Sequence, residues 1–376
     1  ELRADDLDAL LGIVSSFVAE ENIAQARGGL DQLLQSHSDS TRVWLYSGGL
    51  NARTGDYESA EANFKVALDL ATTQGDASAR VQALTGLAES LLEQNDAETA
   101  REHIDTLAAE APQALQSKLL VARIAYLDQD WKAAQQNLQQ VLQVAPNYTP
   151  AKMLLGAVQL RSGNLAQAEM YLSASVASMP DNVWARQLLA ETRLQLRRAD
   201  DAQQALEPIV GGSDADPVSL QMAARASFGR EKIGEALEYL RRRVDTDPSN
   251  PDLRFQLAVT LLQLGRIDEA KAELGKIDVS DSDETAFRRD ALGVVAAMRD
   301  SNSATTIAAA KQLVTDYSDR AAAYNLLGAV QAAAGDRDDA AKSFQNALEL
   351  DPKDVTARRS LAEFEAFNGD LDSAAK

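Results

Sequence analysis

The chain has 376 residues, 45% of them hydrophobic but only 5% aromatic, and its 57 acidic against 37 basic side chains give a formal net charge of -20. A nucleic-acid binder needs a basic face to neutralise phosphates, and an anionic membrane surface repels acid, so neither partner class is expected. The absence of cysteine excludes disulfides, thiolate metal sites and cysteine nucleophiles in this stretch, and no apolar run reaches membrane-spanning length.

Abundant Ala, Leu, Gln and Glu favour helices, and runs of strand-forming residues are hard to find. Predicted helical units follow one another at a period of 34 residues, starting near Leu7, Thr41, Val81, Leu115, Thr149, Val183, Pro217, Pro251, Ala286, Ala321 and Val355. The step after Thr41 is six residues longer, at "TTQGDASAR", and the steps on either side of Ala286 are each one longer. "MLLGAVQLRSGNLAQAEMYLSASVASMP" (Met153 to Pro180) therefore returns 172 residues later as "NLLGAVQAAAGDRDDAAKSFQNALELDP" (Asn325 to Pro352).

Within a unit numbered 1 to 34, position 8 is small (Gly48, Ala88, Ala122, Gly156, Ala190, Ala224, Ala258, Gly293, Gly328, Ala362), with Val14 the exception. Position 20 is Ala (Ala26, Ala60, Ala100, Ala134, Ala168, Ala202, Ala236, Ala270, Ala340, Ala374), with Thr305 the exception. Position 24 is apolar, as at Phe64, Leu138, Leu172, Leu240 and Phe344. Small residues let two helix backbones approach. Gly55, Gly163, Gly265, Gly335 and Gly369 mark a turn between helices, because Gly tolerates the left-handed conformation that ends a helix. Asp56, Asp96, Asp130, Asn164, Asp336 and Asp370 follow as N-caps, and Pro112, Pro146, Pro180, Pro248 and Pro352 stop the second helix. The ninth unit, with "SNSATTIAAAKQLVTDYSD", lacks the Ala and the Pro, so its register is the least defined.

Each unit is thus a helix-turn-helix with an apolar face that only stacking can bury. The pattern resembles the tetratricopeptide repeat over essentially the whole chain. Trp44, Gly48, Gly55, Tyr57, Ala60, Phe64 and Ala67 carry it in one unit, and Tyr324, Leu327, Gly328, Gly335, Ala340, Phe344, Ala347 and Pro352 in another. The resemblance implies an all-α, right-handed superhelical solenoid of about eleven units, forming one continuous array over residues 1–376. The last unit stops at "LDSAAK" inside its second helix without a polar cap, so a fragment of a longer array is expected. More narrowly, "AEMYLS", "PDN", "ARQLLAETRLQL" and "ALEPIV", between Leu154 and Val210, resemble phrases of the repeat lipoproteins of the bacterial PEP-CTERM/exosortase system. That resemblance implies a periplasmic, lipid-anchored protein of envelope export or exopolysaccharide assembly. The composition alone leaves a cytoplasmic setting open.

No catalytic constellation is visible, and no enzyme, metal or cofactor is expected. His37 and His103 lie 66 residues apart with no second ligand at helical spacing, and read as ordinary polar residues. The acids of "DSDET" (Asp281 to Thr285) and "GDRDD" (Gly335 to Asp339) read as capping and solvated groups, without the spacing of a calcium loop. "RRR" at Arg241 to Arg243 is either a phosphate-binding patch or, more simply, a solvated face. No phosphate loop or nucleophile elbow occurs.

In the family that the units resemble, first helices line a concave wall, with positions 2, 5, 9 and 12 facing inward. Read here, those positions supply Gln116, Arg123, Tyr126, Trp184, Gln187, Arg225, Phe228, Phe255 and Phe287 as groove candidates. An aromatic and aliphatic groove suits a peptide or helix of a protein partner. Stacking of sugar rings on Tyr126, Trp184 and Phe228 is the alternative. Position 12 also touches the neighbouring unit, so Tyr126 and Phe228 read equally well as core. Trp44 and Trp131 are expected to be structural. Chaperone-tail binders in this family place Lys and Asn at positions 5 and 9. Here those positions read Leu11, Leu45, Thr85, Leu119, Met153 and Gln187, and Ser15, Gly49, Glu89, Arg123, Ala157 and Glu191, so that clamp is absent.

Overall fold

The computed structural model describes residues 7–367 except 281 and 300–302, with backbone alone for 303 and 365–367. The described residues form twenty-one α-helices and no strand. Two compact bodies divide the chain, Glu1–Pro208 and Ile209–Lys376. The first holds α1 (Leu7–Ala19), α2 (Ile23–Ser36), α3 (Thr41–Arg53), α4 (Tyr57–Gln74), α5 (Ala77–Glu93), α6 (Ala97–Glu110), α7 (Leu115–Leu127), α8 (Trp131–Val144), α9 (Thr149–Arg161), α10 (Leu165–Ser178) and α11 (Val183–Gln195). The boundary falls within α12 (Ala199–Val210). The second holds α13 (Pro217–Gly229), α14 (Ile233–Thr246), α15 (Pro251–Gln263), α16 (Ile267–Leu274), α17 (Asp283–Met298), α18 (Ser303–Asp316), α19 (Ala321–Ala334), α20 (Arg337–Leu350) and α21 (Val355–Phe367).

Odd-numbered helices are the first helices of the units. Those from α1 to α9 and from α13 to α19 each pack on their own second helix, and successive first helices touch from α1 through α3, α5, α7 and α9 to α11 in the first body, and from α15 through α17 and α19 to α21 in the second. This is the stacked-hairpin solenoid expected of the repeat. The small positions work as the pattern predicts. All nine described position-20 alanines, from Ala26 to Ala340, are fully buried. The Phe64 ring wedges between two glycines, where a β-carbon on Gly48 or Gly86 would come within 2.8 or 2.4 Å of it.

The turn at position 15 imposes its conformation on whatever residue stands there. Gly55, Gly163, Gly265 and Gly335 have positive φ, but so do Glu21, Asn95, Gln129, Arg197 and Glu231 at the same position. Glycine therefore marks only some of the turns. Caps also divide: Asp56, Asp96 and Asp130 accept a backbone N–H three residues on, at 3.2, 3.1 and 2.9 Å. Asn164 instead donates to Gln159 Oε1 at 2.8 Å, and Asp336 makes no cap bond with its side chain. Gly369, Asp370 and Ala374 lie outside the described residues. All five helices ahead of the position-32 prolines stop two residues before the ring, as at Glu110 before Pro112.

Two irregularities follow from inserted residues. The six extra residues at "TTQGDASAR" lengthen α4 to 18 and α5 to 17 residues, where Gly75 closes one helix in the left-handed region and Asp76 caps the next. In the ninth unit the burial pattern corrects the register by one residue. Thr306, Ala310 and Leu313 occupy the buried places that Ala60, Phe64 and Ala67 hold in the second unit, and Val294, not Gly293, is buried opposite them at position 8. Arg288 pairs with Asp252 36 residues away, whereas Arg42 and Asp8 pair across 34. Both extra residues thus lie between α16 and α17. Large and small exchange places there: Val294 stands where nine other units have Gly or Ala, and Ala310 where the others have Leu, Ile or Phe.

A recurrent tie was not anticipated. The side chain at position 4 donates to the backbone carbonyl six residues earlier: Trp44 Nε1 to Ser38 at 2.8 Å, Arg254 Nε to Pro248 at 3.3 Å, and likewise Arg186 to Pro180 and Arg358 to Pro352. It fastens the start of one unit to the end of the unit before.

Candidate functional site

The first helices present positions 2, 5, 9 and 12 on one face, because those spacings fall within one side of a helix. In the first body this face is hollowed over α1, α3 and α5 into a concavity of about 680 Å³. Val14, Val18, Leu45 and Leu50 supply apolar lining; Arg42, Arg53, Asp76, Ser15, Ser78 and Gln82 supply polar groups. Gly49 contributes no side chain, and no atom lies within 4 Å of where its β-carbon would stand, so the hollow deepens there. The Tyr46 ring borders it, 40% exposed. Arg42 is paired with Asp8, and Arg53 ends α3, where a cation complements the helix dipole.

Further along, charges cross from one first helix to the next at two places. Position 13 of one unit meets position 9 of the following one: Glu93 with Arg123 and Arg161 with Glu191, both at 2.8 Å. Burial by the surrounding wall raises the Glu89 carboxyl above the ordinary carboxylate range, against the opposing pull of Arg123, although the side chain still reaches water. Burial, with the charge of Glu89, also raises the Tyr148 phenol.

The structure separates the nine groove candidates. Gln116, Arg123, Tyr126, Trp184 and Gln187 belong to the first body, and Arg225, Phe228, Phe255 and Phe287 to the second. Gln116 and Arg225 are exposed, and Gln187 is half-buried. Trp184 is 39% exposed beside Val183, and is the accessible aromatic of the set. Tyr126 packs on the core with its ring edge-on to Trp131 at 5.3 Å, and Phe228 packs on the Ala224–Leu240 core, and both rings remain half-buried. Phe255 is 1% exposed beneath the Arg288 guanidinium at 4.3 Å and belongs to the core rather than the wall. Phe287 is held between Tyr317, at 5.1 Å, and the Arg320 guanidinium, at 4.7 Å. The hollow over α1, α3 and α5 contains none of the nine. Positions 2, 5, 9 and 12 of the first three units supply Arg42, Gln82, Leu45, Ser15, Gly49 and Val18 to its lining, while Tyr46 stands at position 6.

Other sequence features resolve as internal structure. Arg241 pairs with Glu269 at 2.6 Å, Arg242 donates to the Gly212 carbonyl at 2.5 Å, and Arg243 donates to Gln256 at 2.5 Å while burial lowers its pKa. The three arginines of the run thus turn to three different internal partners, with Arg241 exposed and Arg242 and Arg243 half-buried. His37 Nδ1 shares a hydrogen bond with Ser36 Oγ at 2.8 Å, and burial lowers the pKa of half-buried His103. Asp283 and Glu284 lie in the first turn of α17, and Asp338 and Asp339 in that of α20. Asp281 lies outside the described residues. Among the described residues no three His, Asp or Glu side chains converge as metal ligands, and no helix is long and apolar enough to cross a membrane.

No curated protein matches the sequence. Similar solved structures include a tetratricopeptide repeat protein from Parabacteroides merdae ATCC 43184, 15% identical, covering 68% of this chain and 98% of that one with a TM-score of 0.48. Human IFIT1, solved as a dimer with m7Gppp-AAAA, is 13% identical, covers 96% and 86% respectively, and has a TM-score of 0.47. PilF of Pseudomonas aeruginosa is 19% identical, covers 56% and 93%, and has a TM-score of 0.46. Family models described as tetratricopeptide repeat match residues 11–79, 85–134, 125–175, 160–218, 227–289 and 321–354. With the helix-turn-helix stack they describe now visible along both bodies, the chain belongs to the tetratricopeptide repeat family.

Proposed function

We propose that this protein is a non-catalytic scaffold that holds a protein or peptide partner on the face of its first helices, with the hollow over α1, α3 and α5 as the principal seat. The observation that carries this reading is the hollow itself. It is large enough for several side chains, apolar within, and bordered by an exposed tyrosine and two guanidiniums. Gly49→Trp would fill it without disturbing the core, since a side chain there meets open space. Partners captured from extracts of the source organism by wild-type protein, and lost with Gly49→Trp at unchanged helicity, support the reading. Identical capture by both removes the hollow from it.

The setting we infer is bacterial envelope export or exopolysaccharide assembly, with a periplasmic or outer-membrane-anchored protein. It rests on the phrases between Leu154 and Val210 that resemble the PEP-CTERM-associated lipoproteins. A lipidated cysteine upstream of Glu1 in the full gene, beside export genes, supports this setting; a gene with neither opposes it.

Trp184 favours one second reading, polysaccharide binding. Trp44 is engaged by Ser38 and Trp131 by Tyr126, so a sugar-induced change in tryptophan fluorescence reports chiefly on Trp184. A saturable change on titrating polysaccharide fragments, absent in Trp184→Ala, supports sugar binding. A flat titration retires it.

A further inference from the structure

Position 7 of the unit faces the seam between a first helix and the second helix of the preceding unit. Leucine plugs that seam at Leu87, Leu155, Leu189, Leu257 and Leu327, none more than 7% exposed, while Ser47, Val121 and Ala223 hold the same position in three other units. In the corrected register of the ninth unit, position 7 is Gly293, with no atom within 4 Å of its missing β-carbon. The preceding second helix, α16, is also cut to eight residues where α14 and α20 have fourteen. Together these leave a cavity of about 500 Å³ between α16, α17 and α18.

Its inner lining is Leu274, Gly293, Val294, Ala309 and Leu313. Its mouth carries Lys271, Gln312 and Asp316, all exposed, with the paired Arg289 and Asp290 beside them. Tyr317 donates to Asp290 at 3.0 Å and Gln312 to Asp316 at 2.8 Å, so the acids of the rim are already fixed. Two cations and two carboxylates leave the rim without net charge, in a chain whose net charge is -20.

From the absent plug and the neutral rim, we propose that this cavity is a docking site for a leucine side chain carried by an uncharged segment of a partner polypeptide. The incoming side chain takes the place that the protein's own leucine fills in five other units. Lys271, Gln312 and Asp316 are exposed at the mouth, where the partner's backbone would pass. The site is independent of the hollow over α1, α3 and α5, and lies in the other body.

The test uses the full chain and the probe N-acetyl-L-leucine methylamide, followed by NMR at the methyl groups of Val294 and Leu313. The expected result is saturable shifts, with affinity at least about tenfold above that for the alanine analogue, because the extra carbons enter apolar space. Gly293→Leu supplies the missing plug, and is expected to melt at a higher temperature and to lose the shifts. Ala309→Leu narrows the cavity from α18 and is expected to lose them too. No shift up to about 20 mM probe, near the weak limit of a single side chain, overturns the proposal. So do equal affinities for the alanine and leucine analogues, or shifts that survive both substitutions. Binding of free leucine but not of the capped probe also overturns it, by making the cavity an amino-acid site.

Discussion

A β-carbon placed on Gly156 would lie 2.6 Å from Cγ of Leu172, so the close approach of Leu172 to α9 rests on a bare position 8. Alanine is the better helix former by about 1 kcal/mol, yet overpacking costs about 1–3 kcal/mol. Gly156→Ala is therefore expected to lower stability by about 1 kcal/mol. Gly293→Ala, where the β-carbon meets nothing, should raise it by up to about 1 kcal/mol. Chemical denaturation of the two variants checks the opposite signs.

The left-handed turn at position 15 makes a second pair of opposite signs. A non-glycine residue there costs about 1–2 kcal/mol, and glycine returns about half of that to the unfolded chain. Glu231→Gly should stabilise by about 0.5 kcal/mol. Gly163→Ala should destabilise by about 1 kcal/mol. Thermal melts of both variants against wild type decide the matter.

Arg254 joins two kinds of contact, the backbone tie to Pro248 and an ion pair with Glu273 at 3.0 Å, with the two side chains only 15% and 14% exposed. Arg254→Met keeps the packing stem but strands a half-covered carboxylate. The expected loss is about 2 kcal/mol, between the values for surface and buried pairs. Lys276, also 2.6 Å from Glu273, tempers the loss, and Lys276→Ala combined with Arg254→Met should cost more than the sum of the single changes.

His103 predicts a pH dependence. Burial lowers its folded pKa below the ordinary histidine value, so the unfolded chain binds the proton more readily. Its contribution is present above about pH 6.5 and is lost as pH falls through the lowered folded value. Melting temperatures of wild type and His103→Gln measured from neutral to mildly acid pH should show the smaller decline in the variant.

The packing grammar was legible because it repeats. Ala at position 20 and the small position 8 answer to one contact repeated from unit to unit, and Pro at position 32 marks the same helix stop in five of them. The ninth unit misled because Gly293 imitates the small position while standing one place before it, and the burial of Val294 and Thr306 with the spacing of the Arg288–Asp252 pair exposes the slip. The position-4 tie was present in the letters, as Arg186 and Arg254 six residues after Pro180 and Pro248, but a side chain's reach to a carbonyl depends on the path between helices. The groove was the least legible part. Phe255 and Trp184 are both aromatic at inward positions, yet one lies under Arg288 and the other in solvent, a difference set by neighbours rather than by the residue itself. The hollow over α1, α3 and α5 announces itself through what is missing at Gly49, not through a conspicuous side chain.

Binding through the face of the first helices is tested most directly by placing a photo-crosslinking amino acid at Tyr46, on the border of the hollow, or at Met170, 58% exposed on a second helix, and irradiating in the native host. A discrete protein adduct from position 46, abolished by Gly49→Trp and absent from position 170, is the predicted result. Adducts from position 170 with none from position 46 would contradict it.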